Sequence, residues 1–201
     1  AVGSLYATYR RLRRAVFEAT ARLQIIEFAG LYTRGIDRLD AELVRAPFTP
    51  DGMLSIPNVA IDLPASEFCV GATQFLGKTL VASMHNVSNP HVVFSPCGRR
   101  AHSEMYFIAN HFKHVDGAVR NAGVYGRYCD SWVLCADGKF RIAKRKLLYD
   151  FQGELWNKTI QEMKDDDTLR QKPSMARPEN LGARDKSDFV YQHIFAPTFD
   201  G

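Results

Sequence analysis

The feature that most constrains this chain is a succession of strand-like segments filling the part after residue 80. Val81 to Phe94, Ala101 to His114, Val124 to Cys135 and Phe140 to Phe151 are rich in β-branched and aromatic residues, and the turns between them carry Pro96-Cys-Gly98, Asp116-Gly117 and Asp137-Gly138. Before them the pattern is helical. A block runs from Ser4 to about Phe48, with Ile25, Ala29, Tyr32 and Ile36 at the spacing of one helix face. Asp40 reads as the N-cap of a further short helix, with Leu39 and Val44 as a hydrophobic staple, and the loop Pro47 to Asp51 ends the block. A second helix is expected from Pro64 to about Leu80, where Phe68, Ala72, Phe75 and Leu76 share a face. Helices first and a meander afterwards predict an α+β fold, its N-terminal helices packed on one side of an antiparallel sheet.

The last hairpin can be registered from its turn. A two-residue turn at Asp137-Gly138 sets Cys135 opposite Phe140, Val133 opposite Ile142, and Asp130 opposite Arg145, the last pair on the face of Tyr128 and Trp132. A bulge would shift that register.

A length of 201 residues suits one domain with extensions, here residues 1–151 followed by 152–201. The second part begins a polar stretch with Lys164-Asp-Asp-Asp167, Pro173, Pro178 and Gly182 and reads as a wrapping or pocket-covering extension. Its segment Phe189 to Phe195 is apolar enough to dock on this subunit or a neighbour. The 13 Phe and 8 Tyr can line an aromatic pocket as well as fill a core.

A net charge of +4 is modest, and its densest cluster, Arg10, Arg11, Arg13 and Arg14, lacks the broad basic face with stacking aromatics that nucleic acid needs. Cys69, Cys97, Cys129 and Cys135 have neither Cys-x-x-Cys nor zinc-ligand spacing and read as free thiols of a reducing, cytoplasmic compartment. No apolar run reaches membrane-span length, so no membrane partner is expected. A start at Ala1 suggests a trimmed terminus.

Two residues stand out for chemistry. Alternation along the first strand places Val81, Ser83, His85, Val87 and Asn89 on one face, so His85 sits among small and apolar neighbours. A lone strand histidine is more often a hydrogen-bonded core residue than a catalyst, and the other histidines lack metal-ligand spacing. Asp37 lies at the edge of the helical stripe and has its own ordinary alternative, pairing with Arg34 or Arg38. The macrodipole disfavours an anion at a helix C-terminus, however, so an acid there suggests a specific partner. Together the two could form a proton-transfer pair, in which the carboxylate fixes the imidazole tautomer and stabilises its protonated form.

A wider set of motifs accompanies them: Tyr32 to Asp40, Phe48-Thr-Pro-Asp51, His85-Asn-Val-Ser-Asn89, Ala101 to Tyr106, Gly126-Arg-Tyr-Cys-Asp130 with Trp132, Asp137 to Ile142, Arg145 and Asp150. In this order the chain resembles the SnoaL-like branch of the nuclear transport factor 2-like superfamily. The resemblance implies a cone-shaped α+β barrel with a curved sheet around one deep pocket, a homodimer or homotrimer, and neither metal nor organic cofactor. In the dehydratase and dehydrochlorinase members, residues matching Asp37 and His85 form the catalytic dyad, and an arginine matching Arg145 lies near the dehydrochlorinase pocket. Tyr32 stands where the dehydrochlorinase has lysine and offers a phenol donor, as dehydratases favour. Phe48, Leu54, Asn89, Tyr106, Tyr128 and Trp132 are the expected substrate contacts.

The resemblance thus implies a lyase in which His85 takes a proton, Asp37 holds the imidazolium, and Tyr32 or Arg145 assists the departing oxygen. A small aromatic substrate of lignin type, losing water or formaldehyde, would suit the aromatic strands. Two alternatives come with the same fold: a structural small subunit of a ring-hydroxylating dioxygenase, and a ketosteroid-type isomerase using an aspartate base alone.

Overall fold

A computed structural model describes residues 2–155 of the chain. The apolar segment Phe189 to Phe195 and the rest of the extension from residue 156 lie outside the described residues. Helix α1 spans Val2–Arg38, α2 Ala41–Arg45 and α3 Ala65–Thr79. Strands β1 (Phe48–Ile56), β2 (Ile61–Pro64), β3 (Ala82–Phe94), β4 (Arg100–Val115), β5 (Ala118–Leu134) and β6 (Phe140–Leu155) form one sheet in the order β2-β1-β6-β5-β4-β3. The last strand thus continues past residue 151, where the domain was expected to end.

The helical stripe buries as expected. Ala21, Ile25, Ala29, Tyr32 and Ile36 recur every three or four residues and join the core with Phe94, Trp132, Phe140 and Ile142 from the sheet. The helical block divides at Asp40, as expected. Leu39 takes a positive φ of 55° and breaks α1, and Asp40 then caps α2 through its side chain on the backbone N–H groups of Glu42 and Leu43. Val44 is buried, but the Leu39 side chain turns towards Gly77 of α3.

Two strands were hidden from the sequence reading. Pro50, Asp51 and Gly52 look like a loop, yet they form an irregularity within β1, between the pairings Phe48–Ile142 and Met53–Lys144. Here β1 runs parallel to β6, so the sheet is mixed rather than purely antiparallel. Gly52 belongs at this contact, because an added Cβ would lie 3.0 Å from the Ile142 carbonyl oxygen.

Other expectations shift by one residue. The buried stripe of α3 is Ala65, Cys69 and Thr73, with Phe68, Ala72 and Leu76 at its margins and Phe75 exposed. In the last hairpin Cys135 and Lys139 close a three-residue loop with Gly138 at positive φ, which pairs Leu134 with Phe140 and Trp132 with Ile142. A second irregularity between Ser131 and Trp132 cancels that offset. Asp130 therefore still faces Arg145.

Candidate active site

The C-terminal end of α1 lies against β3, and this contact builds the site. Ser83, His85 and Val87 alternate inward along β3 while Met84, Asn86 and Ser88 point to solvent. Asp37, on the last turn of α1, accepts three hydrogen bonds from this strand. Its Oδ2 takes the backbone N–H of His85 at 2.9 Å, and its Oδ1 takes the Ser83 hydroxyl at 2.9 Å and His85 Nδ1 at 2.7 Å. The side chains retain only 8% exposure for His85 and 12% for Asp37, so the pair is sheltered yet reachable.

These contacts fix the protonation pattern. Burial works to raise the Asp37 pKa, but the hydrogen bonds from His85 and Ser83 outweigh it and hold the carboxyl below its ordinary value. An ionised carboxylate only accepts, so the hydrogen on this contact belongs to Nδ1 of His85. Neutral His85 then carries its lone pair on Nε2, which makes no hydrogen bond among the described residues. Such a nitrogen is a base whose conjugate acid is already paired with an anion.

A second imidazole adjoins the first. His111 on β4 pairs in register with Ser83, and its ring centroid lies 5.5 Å from that of His85. Burial, reinforced by the His85 charge, pushes its pKa down to about 4, so it is neutral at physiological pH. Its Nε2 is buried without a hydrogen-bond partner among the described residues. Nothing in the local sequence marks His111; only the β3–β4 register brings it to Ser83 and His85. Ser83, by contrast, shares the strand phase of His85 two residues away.

The remaining expected residues part company with this pair. Arg145 and Asp130 form a bidentate ion pair at 2.8 and 2.7 Å with no side-chain exposure. The guanidinium lies between the rings of Tyr32 and Tyr128, 4.2 and 4.3 Å from their centroids, with Phe48 at 5.6 Å. Burial raises the pKa of both phenols. Arg145 and Tyr32 are therefore buried in an aromatic layer with Asp130, and neither is hydrogen-bonded to the Asp37–His85 pair; Arg145 Nη1 is buried without a hydrogen-bond partner among the described residues.

The expected substrate contacts divide between core and surface. Phe48, Leu54, Tyr128 and Trp132 are fully enclosed core, Trp132 donating its ring N–H to Ser103 Oγ at 2.8 Å. Asn89 sits at positive φ in the β3 irregularity, which reverses the strand's phase so that Val92 and Phe94 turn inward and Asn89 is exposed. Tyr106 is on the outer face of β4 and 45% exposed. The inward aromatic there is Phe107, stacked on Tyr128 at 4.5 Å and meeting Tyr149 edge-on. Among the described residues no group of three or more His, Cys, Asp or Glu is placed to hold a metal ion, and no helix is long and apolar enough to cross a membrane.

Residues 18–146 match the family model described as the SnoaL-like domain. The chain belongs to the SnoaL-like family. No curated protein matches it significantly. Solved structures do, and they share the fold. Kfla4162 from Kribbella flavida is 24% identical over 68% of this chain and 95% of its own, with a TM-score of 0.59. A proposed scytalone dehydratase from Novosphingobium aromaticivorans is 18% identical over 72% and 94%, at 0.61. A type 2 hexachlorocyclohexane dehydrochlorinase is 13% identical over 73% and 96%, at 0.63. The SnoaL-like cone thus accounts for helices and sheet alike.

Proposed function

We propose that the protein is a lyase that eliminates water or formaldehyde from a small aromatic substrate of lignin type, using the Asp37–His85 pair. The carrying observation is the three-donor seat of Asp37, which orients His85 through Nδ1 and leaves Nε2 as the base. In a phenolic diol the benzylic hydroxyl first leaves as water with the phenol proton, giving a quinone methide; Nε2 then takes the proton of the primary hydroxyl, the carbon–carbon bond breaks to release formaldehyde, and its electrons form the alkene and re-form the phenol, so the substrate itself serves as electron sink. Asp37 stabilises the imidazolium formed in that step. Dehydration and dehydrochlorination, the activities in the names of two similar structures, are eliminations of the same type.

The test is turnover of a diarylpropane diol by the full chain. The wild type should release a stilbene, followed by ultraviolet absorption, whose mass shows the loss of both water and formaldehyde; loss of water alone would mark a simple dehydration. His85→Ala with undiminished turnover would remove the reading. A structural subunit would instead be inert alone and co-purify with a larger iron-containing chain.

A further inference from the structure

The arginine cluster at the start of α1 has no part in the elimination, yet the fold gives it a partner. Arg10, Arg13, Arg14 and Phe17 recur along one helix face and meet the β3–β4 turn, forming with Cys97 and Arg99 a groove of about 550 Å³. Arg14 closes it from one side by donating to the Pro96 carbonyl at 3.2 Å and to Glu18 at 2.8 Å. Glu18 is the acid lining the groove, and this contact occupies it. Among the described residues no carboxylate pairs with Arg10, Arg13 or Arg99. The groove is accordingly strongly positive, with an exposed thiol in its wall.

The turn also prepares that thiol. Ser95 is buried and accepts the backbone N–H of Arg100 through Oγ at 3.1 Å, while the same Oγ lies 3.4 Å from Cys97 Sγ. A thiolate only accepts, so the hydroxyl hydrogen points to sulfur when Cys97 is ionised. Hydrogen bonds from Ser95 and the Arg99 backbone lower the Cys97 pKa, whereas burial raises that of Cys69 to about 11. Cys97 and Cys69 thus differ in both access and ionisation.

We propose that this arginine-lined groove binds small anionic disulfides and that Cys97 exchanges with them to form a mixed disulfide. The Cys97 thiolate attacks one sulfur, a new S–S bond forms as the old one breaks, and the other half leaves as a thiolate that takes a proton from water. The arginines select for negative charge on the incoming disulfide, and Phe17 gives its backbone an apolar wall.

The experiment compares glutathione disulfide, neutral hydroxyethyl disulfide and cationic cystamine on the full chain, reading adduct formation by intact mass and its position by peptide mapping. At low salt glutathione disulfide should modify Cys97 first and about tenfold faster than the neutral reagent, with cystamine slowest. The preference should fade towards parity near 1 M salt, where charges are screened over about 3 Å. Combined Arg10→Gln, Arg13→Gln and Arg99→Gln substitution should abolish the ranking, bringing the three reagents to similar rates at Cys97. Cys97→Ser should remove the adduct, and both variants should unfold at the wild-type temperature. Equal rates for the three reagents, first labelling at Cys135, or a ranking that survives in the arginine variant would overturn the proposal.

Discussion

Asp37 grips His85 at two points, taking its backbone N–H on one oxygen and its ring Nδ1–H on the other, both within 2.9 Å. One carboxylate thus sets the strand's position on the helix and the imidazole's orientation together. Replacing His85 by Ala or Asp37 by Asn should each lower kcat/KM for the eliminated substrate by about two to four powers of ten. The double variant should be scarcely worse than the poorer single one, because the residues act as a unit. A kinetic cycle in the diol assay checks this, and multiplicative losses would contradict it.

Acid should weaken the fold in two stages. His111 has a folded pKa of about 4 against an ordinary 6.5, so between those values the unfolded chain binds the extra proton. Its contribution is present above pH 6.5 and falls by about 3 kcal/mol as pH drops towards 4. Asp37, with its pKa lowered, contributes above the ordinary carboxylate value and loses that contribution only as pH falls through its folded value. Urea unfolding between pH 4 and 7 should show a slope that His111→Gln flattens.

The Asp130–Arg145 pair should behave as a buried ion pair whose halves are inseparable. Asp130→Asn or Arg145→Met should each destabilise by about 3–5 kcal/mol, since each leaves a charge or its partner unsatisfied in a dry layer. Joint replacement by apolar residues of similar size should recover most of that loss. Thermal and denaturant unfolding of the three variants measure it.

Gly126 should tolerate no side chain. An added Cβ would run into the Leu148 carbonyl oxygen and come within 2.8 Å of the Phe107 ring, which lies across from it. Gly126→Ala should therefore cost about 3 kcal/mol, since both the Leu148 backbone and the stacked Phe107–Tyr128 pair must move. A clear fall in melting temperature is expected. Asp40→Ala, which only uncaps α2, should cost about 1 kcal/mol.

Local pattern carried much of this molecule. The stripe from Ile25 to Ile36, the cap at Asp40, the last four strands and the inward phase of Ser83 and His85 depend on residues close in sequence, so periodicity and turn chemistry reveal them. The facing of Asp130 and Arg145 also emerged, although two offsets had to cancel for it to hold. Strand β1 stayed hidden because Pro50 and Gly52 resemble loop residues and its partner β6 lies some ninety positions later.

Only the tertiary structure decided which polar residues share a site. His111 reaches His85 through strand register, Asn89 leaves the inner face because one irregularity reverses the phase of β3, and Arg145 withdraws between two tyrosines. The sequence by itself determined the helices, the last four strands, the helix face and the two candidate residues Asp37 and His85. Their meeting at 2.7 Å, and the seating of Arg145 against Tyr32 and Asp130, came from long-range pairing and packing. A one-residue change in strand register reverses which face every following side chain takes, and no local pattern records that choice.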